Sequence, residues 1–341
     1  MMRSGSPFMR YLCRWVMRQF TITENEAGQR LDKFLHKYMA GAPSSFFYKM
    51  LRKKNITLNG KKAEGNERLL KGDQIRLFLS DETIRNFQGG MPSSDEYEQA
   101  YRSLSGIWVV YEDDDILIMN KPENILSQKA KEGDISLNEW MIGYLLVNGG
   151  CEKEQLSTFK PSICNRLDRN TCGLVIGAKS LPGSQYMNEL LRTRQVKKFY
   201  RLLVKGHVDK EEMLEGYLIK DEVKNQVRLV PGGAGGEASF IKTRYYPIRH
   251  FEDKTLVEAE LVTGRSHQIR LHMAGIGHPI LGDYKYGDRK WNDQYKQKYR
   301  IGSQMLYACR LEFGVCRPPF EALSKKVVEA SVPEKFERIL K

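Results

Sequence analysis

The sequence predicts an α+β fold: a mixed, mainly antiparallel sheet in a large C-terminal domain, preceded by a small basic α/β domain. Two observations predict it. From Ile107 onward, short apolar or alternating runs dominate, at Ile107 to Tyr111, Ile116 to Met119, Leu174 to Ala178, Tyr200 to Val204, Ser239 to Tyr245 and Leu256 to Val262, the signature of short strands. Helical patterns intervene near 136–146, 184–195 and 266–274, without the regular alternation that builds a parallel sheet. A chain of 341 residues suffices for two or three such cores.

In chain order, residues 1–18 carry scattered arginines and no clean apolar stretch of the kind a secretion signal needs. They read as a basic leader or an over-long start, with translation beginning at Met17 and the regular pattern at Gln19. Leu31, Phe34, Leu35 and Tyr38 then recur at helical spacing. After the Pro43-Ser44 break, Phe46, Phe47, Met50 and Leu51 do so again. A strand Ile56-Thr57-Leu58, the turn Asn59-Gly60 and a strand from Gln74 to Leu79 close this unit, placed at 19–80. Residues 28–76 hold 12 Lys/Arg against 4 Asp/Glu, including the cluster Arg52-Lys53-Lys54. A solvated helix face would explain that cluster alone, but the basic residues continue into the turn at Lys61-Lys62. Residues 81–106 turn mildly acidic around the breaker cluster Gly89 to Ser94 and read as a flexible linker. The large domain is placed at 107–325, with 326–341 as a C-terminal tail or helix.

Bulk charge narrows the partner. The formal net charge is +13 and the pI about 9.3, which suits a polyanion, either nucleic acid or an anionic membrane surface. No apolar run approaches the roughly 20 residues a membrane crossing needs. The six cysteines form no C-x-x-C pair and no zinc-ligand spacing, so reduced thiols in a cytoplasmic protein are expected. His267, His272 and His278 are five and six residues apart, which does not align them on one helical face. Gly232 to Gly236 lacks the Lys-Ser/Thr of a phosphate loop and leads into a strand, so it reads as a hairpin turn.

The chemistry concentrates in Cys164-Asn165-Arg166-Leu167-Asp168-Arg169-Asn170-Thr171-Cys172-Gly173. A carboxylate flanked by guanidinium groups stays ionised, and suits a nucleophile or a stabiliser of positive charge. Three segments accompany it: Lys197 to Gly206, a strand entered through a basic pair; Thr263-Gly264-Arg265-Ser266-His267-Gln268-Ile269-Arg270, a turn opening a helix; and Gly277-His278-Pro279-Ile280 to Gly287, a loop rich in Gly and Tyr. Asn120-Lys121-Pro122 ends an early strand. A surface ion pair, a core tyrosine and a solvated arginine are the plainer readings of these residues one at a time.

Together the segments resemble the RluA-type RNA pseudouridine synthases, in the order H-R-L-D-x-x-T-S-G, K-x-Y, T-G-R-x-H-Q-I-R and G-H-P-I-x-G-D-x-x-Y-G. The N-terminal unit resembles the S4 RNA-binding module through R-L-D-K-F-L, I-x-L-N-G and K-G-D. In the first motif, Asn165 stands where the family has His and Cys172 where it has Ser. The resemblance implies an isomerase that breaks the N1 glycosidic bond of a uridine and rejoins the base at C5, without cofactor or metal. It implies Asp168 as the catalytic carboxylate, Tyr200 as the aromatic face and hydroxyl beside the base, and Arg265 as the charge partner of Asp168. Arg166 would occupy the space left by the extruded base. Ile269 or Leu271 would wall the pocket, and Arg52, Lys53 and Lys54 would hold phosphates. The implied partner is RNA, best matched by large-subunit ribosomal RNA with transfer RNA as the alternative, and a monomer is expected. A non-catalytic RNA-binding factor would explain the charge but has no use for Asp168, Tyr200 and Arg265 together. A glycosidase would need a second paired acid, and Asp283 reads as structural to its turn.

Overall fold

Residues 15–88, 94–221, 226–230 and 238–340 are described by a computed structural model of the chain. They separate into two units, one of residues up to Glu96 with 148–160 and 180–182, the other of the remainder.

The first unit runs β1 (Trp15–Thr21), α1 (Leu31–Tyr38), α2 (Ser44–Arg52), β2 (Ile56–Leu58), β3 (Lys61–Lys62), β4 (Gln74–Ser80) and α3 (Asp81–Gln88). Its sheet has the order β1-β4-β2-β3. The helical spacing read from the sequence is the spacing of burial, since Leu31, Phe34, Leu35 and Tyr38 of α1 and Phe47 and Leu51 of α2 enter one core with Ile75 and Leu77. Asn59 and Gly60 both adopt positive φ, as a two-residue hairpin turn requires. Arg52, Lys53 and Lys54 are exposed where α2 ends. Two expectations fail in this region. Strand pairing already includes Trp15, which lies opposite Ser80 in the β1–β4 register, ahead of Gln19. The acidic segment is not coil throughout, because Ile84 and Phe87 of α3 lie three residues apart and both pack on the core. The breaker cluster at 89–93 lies outside the described residues.

The second unit contains α4 (Ser94–Ser103), β5 (Trp108–Glu112), β6 (Ile116–Lys121), α5 (Leu137–Val147), β7 (Ser162–Ile163), β8 (Cys172–Ala178), α6 (Leu181–Arg192) and β9 (Val196–Lys205). It continues with β10 (Glu212–Asp221), β11 (Gln226–Val230), β12 (Ser239–His250), β13 (Lys254–Leu261), α7 (Gln268–Gly275), α8 (Arg289–Tyr299), β14 (Leu306–Phe313), β15 (Val327–Glu329) and α9 (Glu334–Leu340). The Gly232 to Gly236 run lies outside the described residues.

Tyr97 and Ala100 of α4 are buried. The α4 backbone comes so close to α5 that a side chain at Gly143 would sit 2.0 Å from the Tyr97 carbonyl oxygen. The sheet order is β11-β10-β12-β13-β9-β14-β8-β6-β5. Its pairings are antiparallel except β14 with β8, where Tyr307 meets Cys172 and Ala308 meets Gly173. The C-terminal segment is part of this unit: β15 pairs with β14, and Phe336 of α9 packs edge-on against Tyr307. An apolar residue every third or fourth position (Phe336, Ile339) explains why this stretch docks.

Two details of the sheet fix where Tyr200 and the turn before β8 lie. Tyr200 is at the centre of the sheet between Ala259 of β13 and Ala308 of β14, small neighbours that leave its ring room. Gly173 has φ +111°, and a Cβ there would meet the Ala308 carbonyl oxygen at 2.2 Å. Gly173→Ala combines backbone strain with overpacking and is expected to destabilise the protein by roughly 2–5 kcal/mol. A urea midpoint shift measures it, and an unchanged midpoint would refute this reading of the β8–β14 junction.

Candidate active site

Asp168 sits in the turn between β7 and β8, where its carbonyl accepts the Thr171 N–H at 3.0 Å. The residues on either side of it are tied down by buried groups. The Ser127 hydroxyl donates to the Leu167 carbonyl at 2.8 Å and accepts the Leu167 N–H at 3.0 Å. Lys121, fully buried at the end of β6, donates to the carbonyls of Pro122, Ile125 and Arg169. Burial lowers the Lys121 pKa to about 8, against the pull of Cys172, Asp168 and Glu123. The Asn165 side chain accepts the Ile176 N–H at 2.8 Å, so this departure from the family motif still fastens the loop to β8. Cys172, the other departure, packs behind the cleft against the core of β9, α8 and β14.

Asp168 opens into a cleft of about 630 Å³ lined by Arg166, Lys198, Tyr200, Arg265, His267, Ile269 and Arg270 among others, a volume typical of small-molecule sites. The guanidinium on Asp168 belongs to Arg270, whose Nη1 donates to Oδ2 at 3.1 Å. Arg270 also makes a two-pronged contact with Asp283, at 2.7 and 2.8 Å. Asp283 is buried and in addition accepts the N–H groups of Lys285 and Tyr286. Burial pushes the Asp283 pKa up, but the Arg270 hydrogen bonds and charge outweigh it, so the net shift is downward.

Arg265 is therefore corrected as the charge partner of Asp168. It precedes the helix, exposed at the cleft edge, and its N–H is bonded to the Gln268 side chain. Arg270 is inside the first turns of α7, held inward by Asp283. The choice between Ile269 and Leu271 is also settled. Ile269 lines the cleft, while Leu271 packs with Leu218, Val227 and Ile241, because residues two apart on a helix face nearly opposite ways.

The Tyr200 ring is buried and its hydroxyl has no hydrogen-bond partner among the described residues. Burial first, then the charges of Asp168 and Cys309, raise its pKa, so the hydroxyl keeps its proton near neutrality. His267 caps α7 with φ 56°, and its Nδ1 is 2.8 Å from the Tyr286 hydroxyl. Its Nε2 lies 3.8 Å from Asp168, and burial lowers its pKa against the attraction of Asp168. His272 bonds Thr243 and His278 the Lys205 carbonyl, so the three histidines serve separate places. Arg270, His267, Lys121 and Ser127 were not among the site residues read from the sequence. The sequence offered Arg265 and Arg270 alike within T-G-R-S-H-Q-I-R and gave no signal that separates them.

Residues 115–275 match the profile of the RNA pseudouridylate synthase family. The ribosomal large subunit pseudouridine synthase C of Vibrio cholerae serotype O1 is 33% identical over 298 residues, covering 86% of this chain and 87% of that protein. The chain belongs to the RNA pseudouridylate synthase family. The protein of the same name from Escherichia coli strain K12 is 31% identical over 299 residues, with 86% and 87% covered. Residues 29–75 match the S4 domain. The solved structure of human RNA pseudouridylate synthase domain containing 4 superposes with a TM-score of 0.55 at 20% identity, covering 72% of this chain and 95% of that one, a likeness of fold. As an RNA pseudouridylate synthase the protein is an isomerase acting on RNA. Among the described residues no helix is long and apolar enough to cross a membrane, and no group of three or more His, Cys, Asp or Glu could hold a metal ion.

Arg270→Met leaves Asp283 buried without its cation and is expected to cost about 3–5 kcal/mol. The pH dependence should reverse as well. With its lowered pKa, Asp283 adds stability above its unfolded pKa that is lost as pH falls through the folded one. Stripped of Arg270, the buried acid prefers its proton, so the synthase variant should be most stable at acid pH and weaken as pH rises. Arg265→Met should stay within about 0.5 kcal/mol of the parent. Chemical denaturation across pH 3–8 checks all three, and equal effects at the two arginines would contradict the assignment.

Proposed function

We propose that this synthase isomerises uridines of large-subunit ribosomal RNA, as a cytoplasmic monomer without cofactor. On this reading Asp168, Tyr200 and Arg270 form the reaction site, and a module over residues 19–80 anchors the RNA. The single observation that carries the chemistry is the carboxylate of Asp168, set at the mouth of a nucleoside-sized cleft against Arg270 and Tyr200. The names of the Vibrio and Escherichia relatives support the choice of RNA.

The reaction breaks the N1–C1′ bond, turns the uracil, forms C5–C1′ and moves the C5 proton to N1. A carboxylate at C1′ either forms a covalent bond there or stabilises positive character as the base leaves. Arg270 aims that carboxylate, and Asp283 keeps Arg270 in place. Tyr200 offers its ring to the uracil and Ile269 an apolar wall. With its proton retained, the Tyr200 hydroxyl serves C5 deprotonation as a donor or relay and not as a phenolate. Arg166 and Arg265 are exposed at the cleft edge, where Arg166 can fill the gap that the extruded base leaves.

Asp168→Asn preserves size and removes the charge, so turnover should fall at least 10³-fold, on the order of the loss when a charged group acting in the transition state is removed. RNA affinity should change little. Tyr200→Phe should bind RNA normally and accumulate a C5-linked nucleoside that has not lost its C5 hydrogen, read by chromatography and mass spectrometry of digested RNA carrying deuterium at uridine C5, which the intermediate retains and pseudouridine loses. Residual conversion by Asp168→Asn near the parental rate would remove this residue from the mechanism. Pseudouridine mapping in a deletion strain tests the target: signals missing only from transfer RNA would overturn the ribosomal assignment.

Arg52, Lys53 and Lys54 changed together to Gln should weaken RNA binding. They should also make the plot of log affinity against log salt shallower by roughly 2–3, since each phosphate contact contributes about 0.7–0.9. An identical slope would mean that these residues are not a phosphate anchor.

A further inference from the structure

Two basic segments of this chain stand apart from the cleft residues. Residues 28–76 carry a net +8, and residues 284–300 hold six Lys/Arg against two Asp. The second is α8 with the turn leading into it, and nothing in the proposed chemistry uses it.

Packing explains only one face of α8. Trp291, Asn292 and Tyr295 are buried, which leaves Arg289, Lys290, Lys296 and Lys298 outward, followed by Arg300. The two acids of the segment are engaged elsewhere. Asp288 caps the helix through the Trp291 N–H and pairs with Lys205, and Asp293 accepts the Tyr284 hydroxyl at 3.0 Å. Among the described residues none of these five cations has a carboxylate within ion-pair distance. Other cations of the same unit do, as in Arg317 with Glu189, Lys179 with Glu112 and Arg310 with Glu258.

The first-turn part of the arrangement works against the helix. Arg289 and Lys290 occupy the first turn, which has no acid, and cations at a helix N-terminus oppose its dipole. Lys296 and Lys298 in the last turn suit the dipole, so it is Arg289 and Lys290 that gain nothing from the fold and are accounted for by an anionic partner. Tyr284, 42% exposed, adds an aromatic face beside Lys296, whose Nζ is 5.8 Å from the ring centre. The patch is tethered to the chemistry. Asp283, which grips Arg270, is six residues before Arg289, so the two lie at most about 20 Å apart along the chain.

We propose that the outer face of α8 is a second phosphate-binding surface, which takes the RNA backbone flanking the target nucleotide. This rests on the reading of the protein as an RNA-modifying enzyme. Phosphates neutralised there release counterions, so each contact registers in the salt dependence of binding. Tyr284 supplies a stacking face for an unpaired base.

The test is the full-length triple variant Arg289→Gln/Lys290→Gln/Lys296→Gln, titrated with a transcribed fragment of large-subunit ribosomal RNA over a range of KCl concentrations. The slope of log affinity against log salt should become shallower by roughly 2–3. The charge-preserving variant Lys290→Arg/Lys296→Arg should keep the parental slope. A parental slope in the Gln variant overturns the proposal. So does a lower thermal midpoint, because these cations would then serve the fold. Conversion of uridine by the parent on the same RNA keeps the two readings apart. A shallower slope in the variant with no conversion by the parent refutes the proposed function and leaves the surface standing. Conversion with an unchanged slope does the reverse.

Discussion

The site depends on one chain of charge, from buried Asp283 through Arg270 to Asp168 at the cleft. Arg270 reaches both carboxylates with separate nitrogens. Asp283 and the Arg270 guanidinium are out of water, which would be costly if any hydrogen-bonding capacity were wasted. Here Asp283 spends its oxygens on Arg270 and on the N–H groups of Lys285 and Tyr286, which makes it the fixed end. Asp168 is the end that faces the cleft, partly exposed and free to meet a substrate. The asymmetry is what turns a structural ion pair into an aimed carboxylate.

Around that chain the backbone is held by groups that do no chemistry. Ser127 and Lys121 secure the carbonyls of Leu167 and Arg169, on either side of Asp168. Gly173 lets β8 run beside β14 at a spacing no side chain would allow, which brings the Asp168 turn next to the strand that flanks Tyr200. The C-terminal helix contributes at a distance: Lys335 binds Glu123, Ser303 and the Gln304 carbonyl, and Gln304 reaches Thr171 in the same turn.

Much of the architecture was legible in the sequence because it rests on local periodicity. The helices near 136–146, 184–195 and 266–274 correspond to α5, α6 and α7, and the strand runs correspond to β5, β6, β8, β9, β12 and β13. The basic unit with its Asn59-Gly60 turn was readable for the same reason. The elements missed were those whose pattern is weak. β14 mixes small and charged residues, α8 is polar on most of its surface, and α3 offers only Ile84 and Phe87 in an acidic stretch. β1 was cut short because Met17 and Arg18 do not alternate cleanly.

The site divides in the same way. The order of the family motifs was enough to mark Asp168 and Tyr200 as candidates, and the basic N-terminal unit to suggest an RNA partner, although each residue taken alone has a plainer reading. Which arginine meets Asp168, which of Ile269 and Leu271 faces the cleft, and that Lys121 is an internal strut were decided by tertiary structure. Those choices turn on where α7 begins and on Asp283 reaching Arg270 from 13 residues away. A motif states that both arginines are present; only the position of a helix start relative to a buried acid decides which of them points inward.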